Sequence, residues 1–572
     1  MKASEAKLSN LIGHAEKQFI IPIYQRSYKW TKQNVDKLWD DINDVDFDIP
    51  TNMHFLDSIV YSKLSNIDLA SAVGHRIEKY QVIDGQQRLT TVSLLLITMR
   101  DRLKTLTEEQ ESGRLNNLFI INMYAENFDD KLRLKLSDTD HHVYKKLVFE
   151  DTLTQDDKKS IVYKNFSLLK KYIKPLSREE LKRLTRKFED RLDIIDTFLE
   201  DNDNPQKIFS SLNSTGKELK ASDLVKNYIL MNLEPSFQIE FYNRFWIDIE
   251  KKLHNEENIL MNFLQHYLTM KIANGTVVTT SSIYDTFEKY YTKEKSQKTT
   301  LTDKDFIEML LRDISEYAEV YKKLFLDFTH VNFDSVKNSI RKLGIESYYP
   351  IVMKIEHECY TESESVLEVI ENYLIRRFVV GLQAGKTKNV FAKMAKNLKI
   401  EPSSQNLAFE VKELLIQELK QSRYPNIAEF KDGLKHSPLY SNATTATKYL
   451  LYKIEHFRNS QNRTQTVNYD DLTIEHILPQ TEYSNLDTCW TDSFDLGDYE
   501  KYIHTLGNLT LITQEKNSQL GNRGYDLKKE IYRTDSFTGT KFIDEKYDEW
   551  EESSISNHAD YLINEYALKI WE

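Results

Sequence analysis

Short apolar runs near both ends of the chain flank a long region whose apolar positions recur every three to four residues. Near the N-terminus, residues 19–23, 54–61 and 80–83 are short and β-rich, which predicts strands. From about 230 to 430 the three-to-four spacing is that of helices. Near the C-terminus, the runs beginning at Leu472 and Leu506 are again β-rich. We therefore predict an α+β protein that is predominantly helical.

The length of the chain determines how many domains to expect. At 572 residues the chain is too long for one hydrophobic core, so several domains are expected. Apolar residues make up 40% of the chain, which is enough for packed cores, and the 15 glycines and 10 prolines are few. The changes of pattern predict three domains: residues 1–230, a helical middle region at 231–430, and a C-terminal domain at 431–572.

The amino-acid composition restricts which cellular compartment and which kinds of binding partner are expected. The two cysteines, Cys359 and Cys489, are far apart and match no zinc spacing, which indicates a reducing cytoplasm. No stretch of about 18 uncharged apolar residues occurs, so no membrane partner is expected. The net charge of −12 argues against a protein covered in nucleic acid but permits a local basic groove. The Lys- and Arg-rich stretch at 131–187 fits either solvated helix faces or a phosphate-facing surface.

Residues 24–30, YQRSYKW, interleave aromatic rings with cationic and amide side chains. One interpretation is a surface strand with ordinary aromatic packing. The other is a pocket in which the rings stack on a base or sugar while Arg26 holds a phosphate. The segment alone leaves both interpretations open.

A second polar motif lies between two apolar segments. The predicted strand at 80–83 runs into DGQQR, and an apolar helix follows. A strand, a glycine turn and a helix N-terminus in succession gather backbone N–H groups that can hold an anion. In that setting Asp84 is a candidate ligand for Mg²⁺, Arg88 for phosphate, and Gln86 or Gln87 for orienting water. An ordinary Asp-Gly turn with capping glutamines is the alternative.

Together the two motifs resemble the N-terminal module of the GmrSD-like type IV restriction endonuclease family, which is related to the ParB/sulfiredoxin-like nucleotide-binding fold. The resemblance rests on FIIPIYQRSYKW, VIDGQQRLTT and the segment at 208–227. Ser210 stands where the family usually has an acidic residue, and Asp57 where glycine is common. The resemblance implies a domain that binds and hydrolyses a nucleoside triphosphate (NTP). Its pocket would be formed by Gln25, Arg26, Asp84, Gly85, Gln86, Gln87 and Arg88, with Asn213 and Lys217 as weaker candidates.

The C-terminal β-rich runs carry a second group of polar residues. Glu475 and His476 end the first run, Asn508 opens the second after a glycine, and Asn517 lies on a predicted helix. A neutral His at a strand end can activate water for attack on a phosphodiester. An Asn across the hairpin can fix the tautomer of that imidazole. We predict His476, Asn508 and Asn517 as catalytic residues, with Glu475 and Asn517 as ligands of Mg²⁺ or Mn²⁺.

These residues resemble the ββα-metal (HNH/His-Me finger) nuclease site, in the form that accompanies the N-terminal module in GmrSD-like proteins. The matching segments are IEHILPQ and LGNLTLI. Glu475 replaces the commoner Asp and Asn517 the commoner final His, so the site is an H-N-N variant. The resemblance implies a DNA phosphate contact for Lys528, and His558 stands where the family usually has an Arg. His504 has no predicted partner and is interpreted as structural.

Both modules in one chain imply an NTP-dependent, divalent-metal-dependent DNA endonuclease of the type IV restriction kind. Its N-terminal module would recognise modified foreign DNA, such as phage DNA, and hydrolyse NTP. Its C-terminal module would cut that double-stranded DNA in antiphage defence, in a chain that could form a homo-oligomer. Two alternatives stay open: a nucleotide-switched DNA-binding protein with a decayed nuclease, and an abortive-infection nuclease that acts on host nucleic acid.

Overall fold

The structure is a computed structural model. It describes residues 1–46, 49, 53–64, 77–123, 125, 130–200, 202–203, 205, 208, 220–272, 275–327, 333–359, 362–382, 387–399, 406–420, 423–462, 468–534 and 537–571. The candidates Asn213 and Lys217, and the departure at Ser210, lie outside the described residues. Within these ranges, none of the helices combines the length and the apolar character that a membrane span requires.

The chain divides into two compact units. The first consists of Met1–Asp248 with Lys298–Met309, and the second of Ile249–Gln297 with Leu310–Glu572. The first unit contains a six-stranded mixed sheet and the second a two-stranded antiparallel sheet, in a chain that is otherwise mostly helical. This confirms the predicted α+β class. The three predicted domains stay a prediction. The C-terminal region and most of the helical middle region belong to the second unit, but residues 231–248 and 298–309 belong to the first.

The six-stranded sheet of the first unit is built from β1 (Lys2–Lys7), β2 (Lys17–Ile20), β3 (His54–Lys63), β4 (Glu78–Asp84), β5 (Leu134–Lys135) and β6 (Leu192–Leu199). The strand order is β1-β6-β3-β4-β2-β5. β4 pairs antiparallel with β3 and parallel with β2, so the strand that ends at Asp84 lies inside the sheet, with a partner on each side. Interior strands are rigid, which fixes the position of the polar motif that follows β4.

The helices of the first unit have the following bounds. They are Leu8–Ile12, Lys32–Asn43, Gln86–Thr105, Glu109–Leu115, Asp138–Phe149, Ile161–Ile173, Arg178–Arg191, Ala221–Met231 and Pro235–Phe241. The helix Gln86–Thr105 is buried along almost its whole length, from Leu89 to Arg100. A helix that is buried all round forms the centre of a core, and here it directly continues the DGQQR motif.

Two consecutive amphipathic helices cover this central helix. Ser160 caps the helix Ile161–Ile173 by accepting a hydrogen bond from the backbone N–H of Tyr163 at 3.1 Å. Ser177 and Glu180 form a capping box at the start of the helix Arg178–Arg191. Both helices bury an apolar stripe and leave a charged face in solvent, as their sequence period predicts.

The two-stranded sheet of the second unit consists of β7 (Leu472–His476) and β8 (Leu509–Thr513), and His476 pairs with Leu509 across it. The helices assigned to this unit are Glu257–Lys271, Ile283–Gln297, Val336–Ser339, Tyr349–Glu358, Ser363–Val379, Thr387–Asn397, Leu407–Glu418, Ile427–His436, Leu439–Asn442, Thr444–Asn462, Thr488–Ser493, Leu496–Tyr502, Gln514–Leu520, Tyr525–Arg533, Thr538–Lys546, Glu552–Leu562 and Leu568–Trp571. Two more, Ile247–Lys252 and Asp303–Phe325, contribute residues to both units. A core that includes Trp490 and Trp550 packs around the hairpin.

Candidate active site

Strand β7 places Glu475 and His476 on opposite sides of the small sheet. Successive residues of a strand point to opposite faces. The Glu475 carboxylate accepts hydrogen bonds from Lys528 and Tyr532, whereas the His476 imidazole lies against His504 and Tyr440. The sequence analysis assigned the two side chains to one metal-and-base site, and the structure separates them.

Three rings form a cluster on the His476 side. His476 Nε2 lies 3.2 Å from His504 Nδ1, which is hydrogen-bonding distance. The Tyr440 ring meets the His476 ring edge-on at 4.4 Å and stacks on the His504 ring at 5.5 Å. His476 is 7% exposed, and His504 and Tyr440 are half-buried. The arrangement holds the His476 ring at the end of β7 with a second imidazole beside it.

Electrostatics keep His476 uncharged. Burial lowers the pKa of His476 to about 3, and the nearby His504 and Lys528 act in the same direction. Burial also lowers the pKa of His504. Two neutral imidazoles can share one hydrogen bond only if one nitrogen donates and the other accepts. When His476 Nε2–H donates to His504 Nδ1, the lone pair on His476 Nδ1 is available as a base.

Behind the strand, Glu475 and Lys528 form a buried ion pair. Lys528 Nζ donates to Glu475 Oε1 at 2.6 Å and to the carbonyl oxygen of His476 at 2.8 Å, and Tyr532 OH donates to Glu475 Oε1 at 3.2 Å. The Lys528 side chain is 0% exposed and that of Glu475 5% exposed. The predicted DNA phosphate contact of Lys528 is therefore wrong, because a fully buried ammonium cannot reach DNA. Lys528 instead ties the carboxylate to the backbone of His476.

Asn508 fixes the loop that follows β7. Its Oδ1 accepts from Leu478 N at 2.7 Å and from Trp550 Nε1 at 3.2 Å. Its Nδ2 donates to the carbonyl oxygens of Leu478 and Ile503, both at 3.0 Å. These four bonds use both amide hydrogens and both lone pairs of the carbonyl oxygen. The prediction that Asn508 bonds the imidazole is corrected: Asn508 locks the backbone on either side of the site.

The predicted metal ligands do not form a preassembled site. Asn517 Nδ2 donates to the carbonyl oxygen of Ile474 at 3.0 Å, which anchors the helix Gln514–Leu520 to β7. An ion held by Glu475 would share that carboxylate with a buried ammonium 2.6 Å away. Among the residues that the structure describes, no three His, Cys, Asp or Glu side chains are grouped so that they could hold a metal. A hard divalent cation requires several oxygen ligands, so the residues as placed do not fit the predicted Mg²⁺ or Mn²⁺ site.

His558 acts within the core and not at a phosphate. It is 2% exposed, and its Nδ1 lies 2.8 Å from the carbonyl oxygen of Gly507. Burial lowers the pKa of His558 to about 4, so it is neutral and Nδ1–H can donate to this carbonyl. The phosphate contact that the resemblance assigns to the Arg at this position is therefore not reproduced by His558.

In the first unit, the DGQQR motif forms a charged cluster at the N-terminus of the helix Gln86–Thr105. Arg88 donates to Asp84 Oδ2 at 3.3 Å, forms an ion pair with Asp57 Oδ2 at 2.6 Å, and donates to the carbonyl oxygen of Leu56 at 3.0 Å. Burial raises the pKa of the Asp84 carboxyl, and the guanidinium groups of Arg88 and Arg26 oppose this. Arg26, Asp84 and Arg88 are thus brought together as the sequence predicts.

Two residues near this cluster adopt positive φ angles. Gly85 has φ +94°, and a Cβ there would lie 2.8 Å from Ile59 Cδ1, so the turn requires glycine. Asp57 has φ +74°, which is uncommon for a residue other than glycine. It stands where the resembling family commonly has glycine, and the structure supplies the reason, because this backbone conformation favours glycine.

Gln25 and Gln87 hold the loop at residues 21–31. Gln25 Nε2 donates to the carbonyl oxygens of Val82 at 2.7 Å and Ile83 at 3.0 Å. Gln87 accepts from Lys29 N at 2.8 Å and donates to the carbonyl oxygen of Ser27 at 3.3 Å. Gln87 is therefore occupied by the loop and is not placed to orient water.

The aromatic part of the pocket interpretation is wrong for two rings of this loop. Tyr24 and Tyr28 are 1% and 3% exposed, and the hydroxyl of Tyr28 lies 2.7 Å from Thr91 Oγ1. Rings buried in this way pack within the domain and cannot stack on a base. The loop that carries Arg26 is thus fixed by its own aromatic residues.

The cluster retains buried polar atoms that fit a polar ligand. Among the described residues, Gln25 Oε1, Arg26 Nε and Gln86 Oε1 are buried without a hydrogen-bond partner. Buried polar atoms are normally paired, so their accumulation beside one helix N-terminus needs a reason. Backbone N–H groups at a helix N-terminus and two guanidinium groups suit a phosphate-bearing molecule.

His504 is the site residue that the sequence analysis missed. It lies 28 residues after His476 and was interpreted as structural. The sequence contained one indication that His504 could lie near His476. His504 lies four residues before Asn508, in the loop that returns the chain to the end of β7. Any side chain of that loop is a candidate neighbour of His476.

Two family models match the chain. The model for the GmrSD restriction endonuclease, N-terminal domain, matches residues 8–230, and the model for the GmrSD restriction endonucleases, C-terminal domain, matches residues 424–565. A search of curated proteins finds no match. The two matched ranges contain every residue of the two clusters described above.

Proposed function

Because the chain belongs to the GmrSD-like restriction endonucleases, we propose that it is an NTP-dependent DNA endonuclease of the type IV restriction kind. His476 acts as the base of an HNH-type site in the second unit. The observation that carries the proposal is the neutral His476 imidazole at a strand end, with His504 at 3.2 Å. At neutral pH this imidazole is unprotonated, so it has a free nitrogen lone pair that can accept a proton, as a general base must.

The proposed reaction is hydrolysis of a phosphodiester. His476 Nδ1 accepts a proton from water while the water oxygen bonds to phosphorus. The bond from phosphorus to the leaving oxygen breaks, and that oxygen takes a proton from solvent. His504 accepts the Nε2–H of His476, which holds the ring in the tautomer that keeps Nδ1 unprotonated. The imidazolium then returns its proton to solvent, and the site is restored.

The nucleotide site of the proposal is the cluster at Asp84. Arg26 and Arg88 would bind the phosphates of an NTP, and the backbone N–H groups at the start of the helix Gln86–Thr105 would add hydrogen bonds. Gln86 has a buried oxygen without a partner among the described residues. Binding there would compete with the Arg88–Asp57 pair, whose Asp57 side chain is 71% exposed. We propose that this unit licenses cutting when it meets modified DNA such as that of phages.

The proposal predicts that His476→Ala abolishes cleavage of phage or plasmid DNA while leaving NTP hydrolysis at the wild-type rate. His436→Ala is the matched control, because His436 is exposed and lies outside the ring cluster. Agarose-gel cleavage assays and phosphate release measure the two activities. Cutting that persists in His476→Ala would refute the assignment of the base.

The nucleotide half of the proposal is tested separately. Asp84→Ala should abolish NTP turnover, whereas Asp156→Ala, on an exposed surface of the same unit, should not change it. Unchanged turnover in Asp84→Ala would remove the first unit from the NTPase assignment. Modified and plain phage DNA, with each NTP in turn, identify the substrate that the enzyme prefers.

A requirement for a divalent cation is part of the proposal. The positions of the predicted ligand residues do not fit a metal site, so no ligands are named. Cleavage in EDTA, and after titration of Mg²⁺ or Mn²⁺ into EDTA-treated protein, tests the requirement directly. Full activity in EDTA would reject it. A metal requirement that Glu475→Gln leaves unchanged would show that Glu475 is not a ligand.

A further inference from the structure

The first unit carries a concentration of positive charge that the proposed active site does not use. Residues 158–191 contain twelve Lys and Arg against four Asp and Glu, in a chain whose net charge is −12. This stretch covers the helices Ile161–Ile173 and Arg178–Arg191 with the short segment between them. The positive charge is therefore local and opposes that of the rest of the chain.

On the first of these helices, the charged residues lie opposite the buried stripe. The stripe is formed by Val162, Asn165, Phe166, Leu169 and Ile173. Lys164 and Lys171 are exposed two turns apart, about 10 Å along the axis, and the exposed Lys174 follows at the C-terminus. None of the three forms an ion pair among the described residues.

On the second helix, Arg178 is exposed but paired with Glu108 at 2.5 Å, and Arg183 and Arg186 are exposed one turn apart. Within the part of the chain that the structure describes, neither has an ion-pair partner. Lys187, by contrast, is buried and donates to the carbonyl oxygen of Asn43 at 2.6 Å. The helix thus separates a lysine that packs inward from arginines that face solvent.

Two of the carboxylates in the stretch are engaged elsewhere. Glu189 pairs with Arg114 at 2.7 Å, and Glu180 accepts from Ser177 N at 2.8 Å in the capping box. They are therefore not placed to neutralise the exposed cations. Lys and Arg side chains without ion-pair partners, in a stretch where they outnumber the carboxylates, attract a polyanion.

Both helices pack against the helices Lys32–Asn43 and Gln86–Thr105, so their apolar sides are covered by their own domain. A helix that binds a lipid surface must leave its apolar side free. The free side here is cationic and almost without large apolar groups, which favours a phosphate backbone as the partner. Phosphate contacts of this kind position a protein on DNA without reading its sequence.

We propose that Lys164, Lys171, Lys174, Arg183 and Arg186 form a surface that binds the phosphate backbone of double-stranded DNA. The inference rests on the proposed function, because DNA is the substrate of that function. It goes further by assigning the DNA-holding surface to the first unit, whereas the His476 cluster belongs to the second. Each neutralised phosphate releases counterions, so binding through this surface weakens as salt rises.

The test is fluorescence anisotropy of a labelled 30-base-pair duplex of plain DNA with the full chain carrying His476→Ala, so that nothing is cut. Lys164→Glu/Lys171→Glu/Lys174→Glu should raise the Kd at least about tenfold at low salt. The slope of log Kd against log salt should become shallower by about 2.7, since each lost contact contributes about 0.9. Arg183→Glu/Arg186→Glu should act in the same direction, with a change of about 1.8 in slope.

The matched control is Lys412→Glu/Lys420→Glu/Lys431→Glu, which changes the net charge equally on exposed lysines of the second unit. It should change Kd less than about twofold, because these lysines are not part of the proposed surface although the net charge changes equally. Equal weakening in both triple variants, or an unchanged slope in the first, would overturn the surface. Tighter binding of double-stranded RNA of the same length would overturn DNA as the partner. Urea unfolding followed by tryptophan fluorescence, with the same midpoint as the parent chain, verifies that the variants are folded.

The two proposals fail in different ways. A wild-type chain that binds DNA through this surface but cuts no DNA in any condition contradicts the proposed nuclease and leaves the surface intact. A chain that cuts DNA while the Lys164/Lys171/Lys174 variant binds as tightly as the wild type contradicts only the surface.

Discussion

Replacing Lys528 with methionine tests whether the ion pair behind the active site positions His476. Methionine keeps most of the volume of the side chain but removes its charge. Glu475 would then hold an unpaired charge at a position where its side chain is 5% exposed. The backbone of His476 would lose the donor that binds its carbonyl oxygen at 2.8 Å.

The structure indicates how much the free energy of unfolding should fall in Lys528→Met. Lys528 makes two short bonds, at 2.6 Å to Glu475 and 2.8 Å to His476, and its side chain is 0% exposed. Removing one partner of a buried ion pair costs about 3–5 kcal/mol, because the other charge is left without compensation. Lys528→Met/Glu475→Gln removes both charges, and we expect it to recover at least about 2 kcal/mol of that loss. Lys546→Met, which changes an exposed lysine, should alter the free energy of unfolding by no more than about 0.5 kcal/mol.

Urea unfolding followed by tryptophan fluorescence measures the loss, since Trp490 and Trp550 are buried in the surrounding core. The pH dependence gives an independent check. Burial already raises the pKa of Glu475, and removing the ammonium that opposes burial raises it further. A carboxyl whose pKa is raised on folding stabilises the fold below its unfolded pKa of about 4.3, and this contribution is lost as pH rises through the folded value. The stability lost in Lys528→Met, relative to the wild type, should therefore be smaller at pH 5 than at pH 7.

Two results would refute this reasoning. A loss below about 1 kcal/mol for Lys528→Met would mean that the pair is solvated and of little consequence. A double variant no more stable than Lys528→Met would mean that the loss comes from packing and not from the unpaired charge of Glu475. Either outcome would also reopen the assignment of Glu475 as a metal ligand.

Three further predictions follow from the two clusters. His504→Phe should lower kcat of cleavage about 10- to 100-fold, whereas His504→Asn, which keeps an acceptor near the Nδ1 position, should retain most activity. The pH profile of kcat/KM should show no loss of activity between pH 8 and pH 6 from protonation of the base, because the pKa of His476 is lowered to about 3. Gly85→Ala should destabilise the first unit by about 1–3 kcal/mol and reduce NTP turnover, because alanine at φ +94° is strained and its Cβ meets Ile59.

Each of these has a result that would contradict it. Equal activity of the two His504 variants would make His504 a packing residue. An apparent pKa near 6.5 in the kcat/KM profile would mean that the base is solvated during turnover. Thermal and urea unfolding of Gly85→Ala that match the wild type would show that the turn relaxes without cost.

Local motifs carried most of what could be predicted about the first unit. The runs at 54–61 and 80–83 are parts of β3 and β4, and the apolar run after DGQQR is the central helix. The strand order could not be predicted, because β6 lies more than a hundred residues after its parallel neighbour β3 and no local signal records that pairing. The cluster of Arg26, Asp84 and Arg88 was predictable because a strand end and a helix N-terminus converge on it.

The contacts of the predicted C-terminal residues could not be predicted from the sequence. Neighbours in sequence were treated as neighbours in function, whereas a strand sends Glu475 and His476 to opposite faces. The partner of each comes from a distant element: Lys528 from the helix Tyr525–Arg533, and His504 from the loop before β8. Residue type and spacing identify candidate site residues, but which of them come into contact depends on how the elements pack.

The contact between the Gly507 turn and the helix Glu552–Leu562 bears on how this nuclease can be altered. A Cβ at Gly507 would collide with the carbonyl oxygen of Ile555 and lie 3.1 Å from Ala559 Cβ, and His558 binds the carbonyl oxygen of Gly507. Residues 552–562 therefore support the loop that carries Asn508. We therefore expect that shortening the chain before this helix would disable cutting although every predicted catalytic residue remained.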